Sequence, residues 1–597
     1  MGFIVGIICA LFLCEAMAMG AHGGAPLETE ALPIESIFKL PAPTPVWPIA
    51  SGIHYVIFIF TSPCFDIYVS KYMLIPAIDL SHEDGSFASG IIDLGGLQVS
   101  QISTFNKVWA THEGGPDNQG VTMFEPTAIP EGFYMLGSYS QPNNKALFGW
   151  VFVAKDVSSN TTNPTLKQPI DYTLVWNTES LIINQEGHAY VWLPTTPNGY
   201  KVVGHVVTTT PDKPSLDKIR CVREDLTDQC EQYSLIWSNN GFSVYDARPS
   251  NRRTQAPGVS VGTFVAQTIE TTSSLSIACL KNTNANSTSS MPNLQQIDAI
   301  LKSYSPILFL HPDEKFYPSS VNWFFSNGAL LYTKGQESKP VTIEPNGTNL
   351  PQGGENDGAY WIDLPTDENK DRVSKGDLNS AKSYIHVKPM FGSTFTDIAM
   401  WVFYPYNGPS RAKVKFIKTI KLGKIGEHVG DWEHVTLRVS NFNAQLWEVY
   451  FSQHNKGIWV EASQLEFQNG NKPVVYSSLH GHASYPHVGL NLLGDDGNGI
   501  GIRDDTDNGG MVMDMGEFEL VSAEYLGSEV IEPPWLNYFR EWGPKLDFDE
   551  FKNVEKILHG KLKRKFENIV RGLPSEVLGE EGPTGPKCKN NWVGDEV

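Results

Sequence analysis

The sequence predicts a mainly β chain: an N-terminal three-fold repeat β-prism-like domain, followed by a β-sandwich-like domain with a few C-terminal helices. Three observations predict it. Charged residues make up only 19% of the 597 residues, while glycine (53) and proline (39) are abundant. That balance suits turn-rich sheets better than helical bundles. A Trp-to-Gly pattern recurs three times in the first half. Short aromatic and β-branched runs, separated by Gly, Pro and Asn, fill the second. At this length a single core is not enough, so several domains are expected.

Residues 1–84 form an atypical N-terminus. Phe3 to Leu13 is apolar and Ala16-Met17-Ala18 has the form of a small-x-small cleavage site, yet the basic start of a secretory signal is missing. Sequons at Asn160, Asn286 and Asn346 matter only if the chain is secreted. Ile53 to Ile78 is apolar, but Pro63, Asp66, Lys71 and Pro76 break it too often for a membrane span. Residues 49–84 read as an insertion foreign to the domain. Gly6 stands where myristoylation needs Ser or Thr.

Residues 85–267 carry the repeat. Val108-Trp109 precedes Pro130-Glu131-Gly132, Val175-Trp176 precedes Pro197-Asn198-Gly199, and Ile236-Trp237 precedes Pro257-Gly258. Each unit offers a strand ending on Trp, a turn in which proline presets φ and glycine supplies positive φ, and a strand closing on Gly137, Gly204 or Gly262. A repeat of this kind signals pseudo-symmetric β structure. Residues 268–294, rich in Ser, Thr and Asn, read as a linker. A short helix over Gln295 to Tyr304 opens the sandwich domain, 295–547. Its strand-like runs include Met400 to Tyr404 and Val435 to Val439. Residues 548–597 form a C-terminal helix and tail. Helical spacing runs from Glu550 to Arg571 and carries Lys561-Leu562-Lys563-Arg564-Lys565, a solvated face or a contact for acidic lipid.

The net charge of -21 argues against nucleic acid as a partner, because phosphate contacts need a basic footprint. The seven cysteines are sparse and form no CxxC pattern; Cys221 and Cys230 either pair locally or remain thiols in adjacent strands.

The chemistry-bearing residues concentrate in Gly426-Glu427-His428-Val429-Gly430-Asp431-Trp432-Glu433-His434 and in His480-Gly481-His482. If the first segment continues as a strand into Thr436 to Val439, Asp431 and Glu433 share one face, about 7 Å apart. His480 and His482 share a face if their segment is extended too. The candidate metal ligands are therefore His428, Asp431, Glu433, His480 and His482, an oxygen and imidazole set suited to a divalent ion. His454 and His487 read as ordinary polar residues. The Asp-rich stretch from Asp495 to Gly509 fails the calcium-loop spacing and reads as exposed turns. No nucleophile elbow, P-loop or HExxH motif is present, so catalytic residues are not assigned.

Several motifs occur in a distinctive order: Phe309-Leu310-His311-Pro312-Asp313-Glu314, Phe403 to Pro409, His428 to His434, His480 to Pro486, and Trp535 to Pro544. Together they resemble the plant branch of the vacuolar protein sorting-associated protein 62 family, over about residues 36–48 and 85–575. That resemblance implies a part in protein delivery to the vacuole, in the cytoplasm or peripheral to endomembranes. The repeats are similar to β-prism domains of trafficking adaptors, which implies membrane lipid or trafficking proteins as partners. Asp431-Trp432-Glu433 also matches the end of the cation-binding heptapeptide of necrosis-inducing-like toxins. Three functions compete: a non-enzymatic trafficking protein with a divalent-cation site, a metal-dependent hydrolase, and a secreted toxin-like or lectin-like defence protein.

Overall fold

The structure is a computed structural model. It describes residues 86–596 apart from 161, 269–274, 415–416, 423–424, 455, 496–499 and nearly all of 547–580. The signal-like segment, the insertion over 49–84 and most of the basic C-terminal helix lie outside the described residues.

The chain is mainly β, built from many small sheets with few helices. Between Ile92 and Lys281 the sheets come in pairs. Leu97–Ile102 lies with Val151–Asp156, while Phe105–Thr111 lies with Val121–Pro126 and Tyr139–Pro142. Asp171–Asn177, Tyr190–Thr195 and Val206–Thr208 form one sheet of the next pair. Cys230–Asn239, Phe242–Pro249 and Phe264–Thr268 form one of the last. Trp109, Trp176 and Trp237, one from each pair, meet edge-on with ring centroids 5.6 to 6.3 Å apart. Such edge contacts match the aromatic quadrupole, and burying large rings makes this a natural centre of the N-terminal core.

The turn glycines behave differently from one another. Gly132 and Gly199 have φ of +80° and +78° and follow their prolines in closed turns, as the pattern predicts. Gly258 instead lies within the strand Gly258–Val259 and has no positive φ. At Gly137 and Gly204 the requirement is close approach: a Cβ on either would come within 2.8 Å of the other's Cα.

The expected linker is partly structured. Cys279–Lys281 pairs with Gly258–Val259 and with Thr227–Asp228. Cys279 forms a disulfide with Cys230, Cα atoms 5.2 Å apart. Cys221 is a buried thiol, so the local Cys221–Cys230 pairing is not the one formed. Strand register decides this: Cys221 faces Lys167 in a different sheet.

The helix Leu294–Tyr304 follows, closed at its start by a capping box in which Asn293 and Gln296 satisfy each other's backbone N–H. The main sheet of the second half runs Lys456–Glu461, Leu446–Gln453, His428–Ser440, Phe395–Asn407, Ser383–Met390 and Phe518–Ser522. Its two long central strands, each 13 residues, pair Tyr404 with Asp431 and Val402 with Glu433. Among the described residues no helix is long and apolar enough to cross a membrane.

The chain's last described residues are packed inside. Arg438, on the central strand, makes a two-pronged bond to Asp397 (2.9 and 2.8 Å) and reaches Asp595 at 2.6 Å. Lys388, fully buried, donates to the carbonyls of Asn591 and Gly594 and lies 3.4 Å from Glu596. Asp595 also accepts from Arg252 of the N-terminal half at 3.0 Å, and Trp592 stacks on His386 at 3.8 Å. The tail segment therefore joins both halves.

Removing one partner of a buried pair leaves an uncompensated charge, at a cost of about 3–5 kcal/mol. Asp397→Ala is expected to lower the unfolding free energy read from a urea titration by an amount in that range. Asp595→Ala is expected to cost less, because Arg438 keeps both prongs on Asp397.

Candidate functional site

The strand His428–Ser440 delivers most of the site. Gly430 opens it at φ +68°, where a Cβ would strike the Trp542 carbonyl at 2.5 Å, so both conformation and space require glycine. Trp432 packs beside Phe403, Trp535 and Trp542, with centroids 5.0 to 5.4 Å away. That cluster fixes the strand's rotation. Asp431, Glu433 and His428 then line one cavity of about 490 Å³, with Ser452, His454 and Asp504 across from them. Part of its remaining wall comes from the tail segment, through Asn590, Asn591 and Glu596.

The two carboxyls sit in opposed electrostatic states. Burial works against Asp431's charge, but the hydrogen bond from His482 and the nearby His428 hold its carboxyl below the usual range. Asp431 Oδ2 lies 2.8 Å from His482 Nδ1, and Oδ1 lies 4.0 Å from His428 Nε2. Glu433 has no comparable partner. Burial and then the charge of Asp431 push it up to about 8, although Ser452 Oγ donates to it at 2.5 Å. His454 is pushed the other way by burial. The Asp504 carboxylate at 3.0 Å outweighs that and raises it to about 9. Tyr485 donates to the same Asp504 oxygen at 2.6 Å.

His480 and His482 do not lie on an extended strand. Their φ values are +72° and +55°, so a turn and not alternation places them. His482 is fully buried, stacked on Tyr404 at 3.8 Å, and supports Asp431 from behind. His480 turns away to Glu314: its backbone N–H donates at 2.6 Å and its ring Nδ1 lies at 3.3 Å. Burial opposes Glu314's charge, but the His480 ring, the His482 imidazole with Nε2 3.9 Å from Oε2, and the N–H groups of His480 and Phe316 bring it down to about 2. The five candidate ligands therefore divide: His428, Asp431 and Glu433 share the cavity, His482 buttresses Asp431, and His480 belongs to Glu314. Among the described residues no three His, Cys, Asp or Glu side chains already stand together as a metal ligand set.

Three participants escaped the sequence reading. Glu314 stood in a quoted motif without a role. His454 read as an ordinary polar residue. Asp504 lay in the stretch read as exposed turns, yet Ile500–Thr506 is a strand and Asp504 is buried. The alternation of Arg503, Asp504 and Asp505, with Arg503 and Asp505 paired to each other on one side, was the available signal.

The family model described as Vacuolar protein sorting-associated protein 62 matches residues 69–596. The protein of that description from Saccharomyces cerevisiae is 25% identical over 358 residues, covering 49% of this chain and 73% of its own. Among solved structures, GNIP1Aa from Chromobacterium piscinae is 18% identical with a TM-score of 0.26, covering 35% of this chain. This chain spans 40% of that protein's length. NLPPya in complex with glucosamine is 14% identical with a TM-score of 0.19, covering 33% of this chain and 69% of its own.

Glu433 and His454 both bind their proton more tightly folded than unfolded, so the native state carries more protons between the two values. Their stabilisation is full below the unfolded values and is lost as pH rises through about 8 and about 9. Urea midpoints are expected to fall from pH 6.5 to pH 9, and His454→Gln is expected to flatten that fall. An equal slope in the variant would remove His454 from the account.

Proposed function

The chain belongs to the vacuolar protein sorting-associated protein 62 family, and from that premise we propose that it is a non-enzymatic protein of vacuolar delivery. The observation that carries this reading is the family match across residues 69–596. The plant branch is proposed on the motif order alone. The paired sheets of the N-terminal half are proposed to contact membrane lipid or trafficking proteins, acting in the cytoplasm or peripherally on endomembranes. Its test is replacement of the yeast relative. Cells lacking that protein and expressing this chain are expected to regain retention of a soluble vacuolar hydrolase. Continued secretion of the hydrolase, with the chain stably expressed, would contradict the proposal.

The cavity in the second half is proposed to hold a divalent cation. Asp431 and Glu433 supply the oxygens and His428 the neighbouring imidazole. Two facts support the fit. Glu433 is a buried carboxyl beside a second carboxylate, and the charges of His454 and Lys589 do not offset its burial. Asp431 is oriented by a histidine behind it, the kind of outer support that ligating carboxylates receive. Two protein oxygens with water completing the shell suit a hard ion such as Mg²⁺. When bound, the ion supplies charge neutralisation. The chain's own residues do the rest: Asp431 and Glu433 bind, and His482 positions Asp431.

Elemental analysis and thermal unfolding test this directly. Mg²⁺ or Mn²⁺ is expected to raise the melting temperature of the wild type but not of Asp431→Asn. His482→Ala is expected to weaken the metal response by about 10- to 100-fold, as losses of outer-sphere partners do. His480→Ala is expected to leave it intact. Equal losses at His480 and His482 would contradict the division of roles.

A further inference from the structure

The Asp431 cavity is larger than a cation needs. It measures about 490 Å³, whereas four waters around an ion take up about 120 Å³. Its lining carries both signs of charge. Asp431 and Glu433 come from the strand His428–Ser440. His454, Lys456 and Arg503 come from the end of Leu446–Gln453, from Lys456–Glu461 and from Ile500–Thr506. Lys589 of the tail lines it too.

The cations outnumber the carboxylates near them. Glu596 is already matched by Lys388 and His434. Asp504 pairs with His454 at 3.0 Å. Asp505 holds two guanidiniums at once, Arg411 at 2.7 Å and Arg503 at 2.6 Å, so one positive charge is left over there. Lys456 is exposed and has no ion pair or hydrogen bond among the described residues. Once Asp431 and Glu433 neutralise a divalent ion, the surplus is positive. His454 adds a donor that nothing accepts. Asp504 takes its Nε2 and helps raise it to about 9, so at neutral pH both ring nitrogens carry protons. Its Nδ1 has no partner among the described residues, and 16% of the side chain remains open.

We propose that this cavity binds a phosphate monoester together with the cation, an inference that rests on the cation site proposed above. Mg²⁺ is usually held by one or two carboxylates plus phosphate oxygens, rather than by an all-protein cage, and two carboxylates are what this site offers. A phosphate monoester is close to doubly charged at neutral pH, which suits the positive surplus. His454 Nδ1–H and the Lys456 ammonium supply charge-assisted donors to its oxygens. The volume beyond the hydrated ion admits the phosphate and a small organic group of glycerol size. The chemistry is shared by a soluble phosphate ester and by a phosphatidic acid headgroup.

The test uses the full chain and isothermal titration with glycerol 3-phosphate, in Mg²⁺ and in EDTA. Saturable binding is expected in Mg²⁺, and binding about tenfold weaker or less in EDTA. His454→Gln and Lys456→Ala are each expected to weaken it by about tenfold, while Mg²⁺ still raises their melting temperatures. Lys456 is exposed on the outermost strand of the main sheet, so its variant keeps the test valid if His454→Gln unfolds. Stabilisation by Mg²⁺ without saturable phosphate binding up to about 10 mM overturns the proposal and leaves the cation site standing. Absence of both overturns both. Equal binding in EDTA, or unchanged binding by Lys456→Ala, also overturns the proposal. Sedimentation with phosphatidic acid vesicles, lost in Lys456→Ala, assigns the headgroup as the source. Glycerol 3-phosphate binding without vesicle binding assigns the soluble ester.

Discussion

The buried guanidinium of Arg438 is the constraint on which the rest of the structure depends. A charge this deep is tolerated only with close partners and satisfied hydrogen bonds. Asp397 supplies them from the neighbouring strand, and Asp595 from the far end of the chain, 157 residues away. Because Asp595 also binds Arg252, the same ion group ties the N-terminal half to the main sheet. Lys388, two strands over from Arg438, repeats the arrangement with Glu596, which His434 and Thr436 complete. The tail is thus fixed by charge satisfaction as much as by the burial of Trp592.

The Asp431 cavity inherits its shape from that fixation, because Glu596, Asn590 and Asn591 wall it. It gathers two carboxyls, two residues apart, that are pushed in opposite directions. The difference has a plain origin. Asp431 has His482 behind it, whereas Glu433 accepts from a serine hydroxyl beside a like-charged neighbour, and the charges of His454 and Lys589 do not offset its burial.

Much of this was legible in the sequence. Mainly β architecture followed from composition and run length, and the short helix expected over Gln295 to Tyr304 is there as Leu294–Tyr304. The facing of Asp431 and Glu433 followed from period-two alternation on the strand they share, and both line the cavity. What was not legible came from residues distant in sequence. His480 and His482 looked like strand neighbours, but positive φ sends one to Glu314 and the other to Asp431. The linker's Ser/Thr/Asn content hid a strand because Cys279 is held by a partner 49 residues earlier. The tail gave no signal at all, since its role depends on two buried cations that only the folded sheet brings to it.

The most direct measurement of the central claim is an anomalous diffraction map of crystals soaked in Mn²⁺. One peak is expected between the carboxylates of Asp431 and Glu433, with His482 still bonded to Asp431 behind it and no peak beside His480. Absence of density at Asp431, or a peak between His480 and Glu314 instead, would contradict it.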